Sequence, residues 1–293
     1  MSEELRVMSK KKSRIEKTFE RLKAKGEKAL ITFITAGDPD IKTTKDIIFE
    51  LERAGADIIE LGIPFSDPMA DGTTIQASSE RALKKGATLK RVLELVKDVR
   101  KEGMQTGVKA GDLWARGQGV RIPIILFGYY NPIFAYGVKR FARDAKNTGA
   151  DGVLVVDLPP EEAWELKTET DKNQLDLIFL LTPTSGVSRI RLVAERASGF
   201  IYYVSVAGVT GIQKELSKTL KTSINNIRRF TSLPISVGFG ISTPNHVKEV
   251  SKFADGVVVG SAIVKMIGEN KGKDIAGNIG RFVYELKTAT RGS

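Results

Sequence analysis

The sequence predicts an α/β fold of the (β/α)8 (TIM) barrel class, and three observations predict it. Short apolar runs rich in β-branched residues occur eight times, each followed by a polar loop and a charged segment of helical period. The runs are continuously apolar rather than alternating, so both faces of each strand are expected to be buried, as in a parallel sheet covered by helices. Eight such units fill the length usual for these barrels, about 250 residues.

Residues 1–25 open with Ser9-Lys10-Lys11-Lys12 and continue into an amphipathic pattern through Ile15, Phe19 and Leu22. This predicts a basic extension over 1–13 and an extra helix ahead of the first strand, with a single barrel domain over 14–293. Strands are expected over 30–35, 57–63, 122–129, 152–158, 176–181, 200–206, 235–239 and 256–260. Gly55-Ala56-Asp57, Gly149-Ala150-Asp151 and Phe253-Ala254-Asp255-Gly256 lead into the second, fourth and eighth strands, which suggests equivalent helix-to-strand turns more than a strict repeat. Between the second helix and the third strand, residues 103–121 hold five glycines and Trp114 with little periodicity. They read as an insertion on the N-terminal face of the barrel, away from the chemistry, with a contact surface built on Trp114 as the alternative. A doubly wound open sheet shares the strand–helix alternation, but no G-x-G-x-x-G follows the first strand, where Thr35-Ala36-Gly37-Asp38-Pro39 stands.

Composition narrows the chemistry. The absence of cysteine removes disulfides, thiol nucleophiles and thiolate metal sites, and His246 is the single imidazole, so acid–base work falls to Asp, Glu, Tyr or Lys. A formal charge of +11 raises nucleic acid, an acidic partner or anionic small substrates as ligands. Basic residues are strewn among acidic ones at helical spacing and no nucleic-acid-binding pattern is present, so no nucleic-acid partner is expected. No run of about 18 apolar residues occurs and the N-terminus lacks an export signal, so neither membrane insertion nor secretion is expected and a cytoplasmic location is the default.

The strongest functional signal lies in the second strand. Asp57-Ile58-Ile59-Glu60-Leu61-Gly62-Ile63-Pro64 sets a carboxylate in the middle of an apolar run, where an unpaired charge costs several kcal/mol. An ion pair with a neighbouring strand is the alternative, but the strand runs supply few cations. Glu60 is therefore expected to act as an acid–base group with its pKa raised toward neutrality. The following loop, Phe65-Ser66-Asp67-Pro68-Met69-Ala70-Asp71-Gly72, offers Asp67 and Asp71 as partners, and spacing does not choose between them. Glycine clusters follow the last three strands at Gly208-Val209-Thr210-Gly211, Gly238-Phe239-Gly240-Ile241-Ser242 and Gly260-Ser261-Ala262. Their joint position predicts a phosphate site built on backbone N–H groups. Phe33, Phe127, Tyr129, Tyr202 and Phe239 would crowd the same mouth, some as core and the rest as walls for a flat aromatic substrate. Lys265 reads as a solvated helix lysine rather than a Schiff-base amine.

With Glu60 through Gly72 in view, the chain closely resembles the α subunits of tryptophan synthase. The resemblance continues through Phe33-Ile34-Thr35-Ala36-Gly37-Asp38-Pro39, Tyr130-Asn131-Pro132, Asp157-Leu158-Pro159, Ala207 to Gly211, Gly238 to Ser242 and Gly260-Ser261-Ala262-Ile263-Val264, in family order over roughly 14–291. It implies a lyase of tryptophan biosynthesis that cleaves indole-3-glycerol phosphate to indole and glyceraldehyde 3-phosphate by a retro-aldol reaction, with no cofactor in this chain. It implies Glu60 as the acid–base carboxylate, Asp71 as the group that binds the indole N–H, and Tyr202 as the tyrosine beside Glu60. Phe33 and Phe239 match indole-pocket residues, Thr210 a loop threonine that closes toward Asp71, and Gly211, Gly240, Gly260 and Ser261 the phosphate cradle. The implied partner is a pyridoxal-phosphate-dependent β subunit, in an αββα complex that passes indole between the subunits. Thr73 stands where the family usually has proline, and Val206 where some members have arginine; the first is expected to loosen the end of the loop after strand two. A different phosphate-binding barrel enzyme and a non-catalytic regulatory subunit remain the competing readings, and intact Glu60 and Asp71 argue against the second.

Overall fold

The computed structural model describes residues 12–101, 119–205, 213–238, 240–270 and 274–291. Eight parallel strands close into a barrel in sequence order, with the eighth paired to the first. The elements are α1 (Arg14–Ala24), β1 (Ala29–Thr35), α2 (Ile41–Arg53), β2 (Ile58–Gly62), α3 (Thr73–Lys84), α4 (Leu89–Lys101), β3 (Ile124–Gly128), α5 (Tyr130–Tyr136), α6 (Val138–Thr148) and β4 (Gly152–Val155). They continue with α7 (Trp164–Lys172), β5 (Asp176–Leu181), α8 (Val187–Arg196), β6 (Ile201–Val204), α9 (Gln213–Arg228), β7 (Ile235–Gly238), α10 (Pro244–Ser251), β8 (Gly256–Val259), α11 (Ser261–Glu269) and α12 (Ile275–Ala289). The expected strands are all present, mostly one to three residues shorter than read from the apolar runs, because ladder pairing stops before hydrophobicity does. The insertion at 103–121 and Trp114 lie almost wholly outside the described residues. Among the described residues, no helix is long and apolar enough to cross a membrane.

The pleat divides each strand between two cores. On β1, Ala29 and Ile31 face the barrel interior, where Ile58, Ile125, Leu154, Ile178, Phe200 and Val258 meet them. Leu30 and Ile34 face outward into the layer packed under the helices. Helix α1 belongs to the interior core. Its Ile15, Phe19 and Leu22 join that cluster, with the rings of Phe19 and Phe200 5.7 Å apart, so the helix plugs the N-terminal end of the barrel. Ser13 caps it with a reciprocal Glu16 contact, which fixes its first turn.

The repeated Ala-Asp before strands two, four and eight has a defined physical role. The Asp57 carboxylate accepts the Leu30 N–H on the preceding strand at 3.0 Å, while the Asp57 N–H donates to the Leu30 carbonyl at 2.8 Å. Asp151 closes the same ring with Ile124, and Asp255 with Ile235. Each aspartate thereby satisfies a backbone donor at the start of a neighbouring strand. Each also carries a cation: Lys287 and Arg21 on Asp57, Arg100 and Arg14 on Asp151, Arg228 on Asp255. Two of these cations come from α1, so the same carboxylates that start strands hold the plug.

The burial of these clamps separates their energetic weight. Asp57 and Lys287 are both nearly inaccessible, whereas Asp255 and Arg228 are about one-third exposed or more. Asp57→Ala should therefore lower unfolding stability by about 3 kcal/mol or more, since it unpairs the buried Leu30 N–H and leaves the Lys287 ammonium to Glu27 and the Lys28 carbonyl, both at 3.3 Å, and Asp255→Ala by about 1 kcal/mol. Urea unfolding of the two variants checks the ordering.

Candidate active site

The same pleat that buries Ile58 inside the barrel sends Glu60, two residues on, to the same side and higher up. Glu60 pairs in register with Phe33 on β1 and Ile125 on β3. It is 1% exposed, and neither carboxylate oxygen has a hydrogen-bond partner among the described residues. The ion pair considered as an alternative is absent there. Burial alone pushes its carboxyl up to about 8, so the resting group is a neutral acid near pH 7. Tyr202 on β6 stands close enough to feel Glu60, and burial together with that carboxylate holds its hydroxyl protonated. The ring needs room that only glycine leaves: a Cβ at Gly238 would lie 2.1 Å from the Tyr202 hydroxyl. On the other wall, a Cβ at Gly62 would lie 2.7 Å from the Phe33 ring.

Above Glu60 a narrow slot is lined by Phe33, Gly62, Asp71, Ile75, Phe127 and Tyr129. Phe33 and Phe127 meet edge to face at 5.0 Å and form one wall. The structure distinguishes the two loop aspartates. Asp67 is turned to solvent, where it accepts the Ser66 hydroxyl; Asp71 is partly buried in the slot, and desolvation raises its carboxyl above the ordinary value. Asp71 and Glu60 thus share Phe33 as a neighbour, Asp71 across the slot and Glu60 across the ladder.

The loop that carries Asp71 runs into a helix that is tied to β1 and to the loop after it. Thr73, which stands where the family usually has proline, is the first residue of α3, with Gly72 as its cap. At the far end of α3, Arg81 grips the buried Asp38 carboxylate with two bonds of 2.8 Å, which ties the helix to the loop after β1. Thr35 at the top of β1 adds a 2.6 Å hydroxyl contact to Ser78. Neither tie was legible beforehand, because their partners lie 43 residues apart in sequence.

At the ends of β7 and β8 the backbone changes character. Gly240 takes a left-handed φ of 72°, and Gly260 caps α11 without a side-chain bond. The N–H groups at 261–263 therefore have no acceptor within the helix, and the positive end of its dipole points out from Ser261. The ladder pairs Val237 with Val257, so Gly240 and Gly260 follow neighbouring strands at equal distance. Thr210, Gly211 and Phe239 lie outside the described residues, as does Val206. Lys265 is exposed and reaches Glu269 at 3.8 Å, as a solvated helix lysine does. Among the described residues no group of three or more histidine, cysteine, aspartate or glutamate side chains could hold a metal ion. A groove of about 610 Å³ lies at the opposite end of the barrel, against α1, lined by solvated charges such as Glu16, Glu20 and Lys23. It touches no strand C-terminus, so it lies away from the end where this fold places its chemistry.

A carboxyl with a raised pKa links folding to pH. Glu60 favours the folded state fully below the ordinary glutamate range, and that contribution is lost as pH rises from about 4.5 to about 8. Glu60→Gln should melt with the wild type near pH 4 and above it at pH 8–9, by roughly 3 °C or more. Thermal melts across pH check the sign.

Comparison with known proteins places these features in one family. The model of the tryptophan synthase alpha chain family matches residues 19–110 and 113–290. Tryptophan synthase alpha chains from Citrifermentans bemidjiense and from Geobacter sp. strain M21 are 55% and 54% identical, each over 94% of this chain and 97% of the relative. The crystal structure of tryptophan synthase subunit alpha from Legionella pneumophila str. Paris superposes with a TM-score of 0.84 at 39% identity, covering 96% of this chain and 99% of that one. The chain belongs to the tryptophan synthase alpha chain family.

Proposed function

We propose that this chain is the α subunit of a tryptophan synthase and cleaves indole-3-glycerol phosphate to indole and glyceraldehyde 3-phosphate. The observation that carries the reading is Glu60, a carboxyl buried without a hydrogen-bond partner among the described residues and paired in the ladder with Phe33, which lines an aromatic slot. Its pKa near 8 lets it give a proton to indole C3 and take one from the glycerol hydroxyl at neutral pH. Tyr202 stays neutral beside it and serves as a donor rather than a second base. Asp71 faces the slot from the other side and accepts the indole N–H, drawing the ring toward the tautomer in which the C3 substituent can leave. Phe33, Phe127 and Tyr129, with Phe239, form the walls that sandwich the indole. The phosphate rests on Gly211, Gly240, Gly260 and Ser261, against the free N–H groups of α11, and Thr210 closes over Asp71. The reaction is general acid–base chemistry, which these side chains carry without a cofactor in this chain.

The reading includes a single barrel domain over 14–293, a cytoplasmic setting, and a pyridoxal-phosphate-dependent β subunit in an αββα complex as the recipient of indole. The face around the slot supports a protein partner: Met69 in the Asp71 loop is 94% exposed and Phe134 on α5 is 63% exposed, two apolar side chains left to water beside the site. A partner seated there would fix the Asp71 loop, so the isolated chain should be the poorer enzyme.

Indole release from indole-3-glycerol phosphate, measured with and without a tryptophan synthase β subunit, tests the reading. Release should rise with the partner, and Glu60→Gln should lower it by about a hundredfold or more. Equal turnover with and without the partner would remove the coupling. Substrate binding with no indole under either condition would mark a non-catalytic regulatory chain instead.

A further inference from the structure

The Asp71 loop is held on its slot side by one side chain whose chemistry goes beyond lining the slot. Tyr129 directly follows β3, caps α5 and is 4% exposed. Its ring lies 5.2 Å from that of Phe65, at the start of the Asp71 loop. The platform beneath it is rigid: Gly128 pairs with Val155 on β4, and the next N–H, of Tyr130, donates to the Asp157 carboxylate at 2.8 Å. From this platform the Tyr129 hydroxyl reaches 59 residues back in sequence and accepts the Ala70 N–H at 3.0 Å. An oxygen that accepts there directs its own proton elsewhere, and Asp71 lines the same slot as Tyr129.

We propose that Tyr129 is the positioning residue for Asp71: one hydroxyl pins the backbone at Ala70 and donates to the next carboxylate, so the slot receives Asp71 ionised and aimed. This rests on the function reading above. The rest of the loop does not do the job. Asp71 uses its own N–H on the Pro68 carbonyl and its carbonyl on Gln76, bonds that shape the turn but leave the side chain unaimed. Among the described residues, burial and the Tyr129 hydroxyl are what act on the Asp71 carboxyl, the first raising it and the second holding it down. Asp157, from the end of β4, acts on Tyr129 in turn, and Glu60 acts on Tyr202 across the barrel.

The sign follows. An Asp71 that accepts the indole N–H must be ionised, so activity falls as pH drops through its pKa. Removing the hydroxyl raises that pKa and moves the acid limb of kcat/KM to higher pH. In the full chain with its β subunit, Tyr129→Phe should keep the ring and the fold, lower kcat about tenfold, the scale of one hydrogen bond to a charged group, leave KM within about twofold, and shift the acid limb upward. Tyr129→3-fluorotyrosine, a stronger donor of the same shape, should shift the limb downward, and it decides the matter if the phenylalanine variant does not fold. An acid limb that superimposes on wild type in the variant that folds overturns the proposal, whatever the loss of rate. Failure of the function reading is separate: a wild-type chain that releases no indole with its partner refutes that reading. The clasp is then judged by carboxyl ¹³C titration of Asp71, where an equal pKa in wild type and Tyr129→Phe overturns it and a higher one in the variant supports it.

Discussion

The burial of one uncompensated carboxyl organises the functional end of this barrel. Glu60 has no cation and no hydrogen-bond donor against it among the described residues, so desolvation acts on it unopposed. A protein tolerates such a group only by keeping it protonated near neutral pH, and a proton held at a pKa near 8 is one that chemistry can use. The surrounding residues keep that condition. Phe33 and Ile125 sit opposite it in the ladder, Gly62 makes room for the Phe33 ring, and Gly238 makes room for Tyr202. Each of these places apolar or neutral matter where a stabilising lysine would otherwise fit.

The two ends of the barrel treat carboxylates in opposite ways. At the N-terminal end Asp57, Asp151 and Asp255 each accept a strand N–H and a cation, and they hold the strands and the α1 plug in place. At the C-terminal end Glu60 and Asp71 are raised by burial. Stability is thus invested at one end and given up at the other, which accords with the division of labour of this fold between the N-terminal and C-terminal faces.

Much of this was legible in the sequence, and the limit is set by range. Glu60 stood out because a charge within an apolar strand is a local contradiction that needs no partner to be noticed. Eight apolar runs gave the barrel because ladder pairing follows chain order. The repeated Ala-Asp was visible as an echo, yet its reason, a bond to the preceding strand, spans 20 to 27 residues and leaves no local mark. Asp67 and Asp71 looked alike for the same cause: what separates them is the direction in which a folded loop turns them, one to solvent and one to the slot. Tyr129 was read as one aromatic among several, since nothing around it announces a hydroxyl bound to Ala70. Gly238 was read within a phosphate turn and is explained instead by the Tyr202 ring that arrives from β6, as Gly62 is by the ring of Phe33 on β1.

The charge of the chain bears on how a phosphate is held. With 46 lysines and arginines available, a phosphate site built on ammonium or guanidinium groups would have been easy to assemble. A full positive charge near Glu60 would favour the ionised carboxylate and draw its pKa down, by an amount that grows in a water-poor interior. Backbone N–H groups at a helix start carry about half a charge, and their effect is confined to the first turn. A cradle of Gly240, Gly260 and the start of α11, as proposed, would therefore hold the anion while leaving Glu60 neutral. The basic residues are spent elsewhere, on the N-terminal clamps and on solvated helix faces, and burial remains the one influence on the carboxyl that has to exchange the proton.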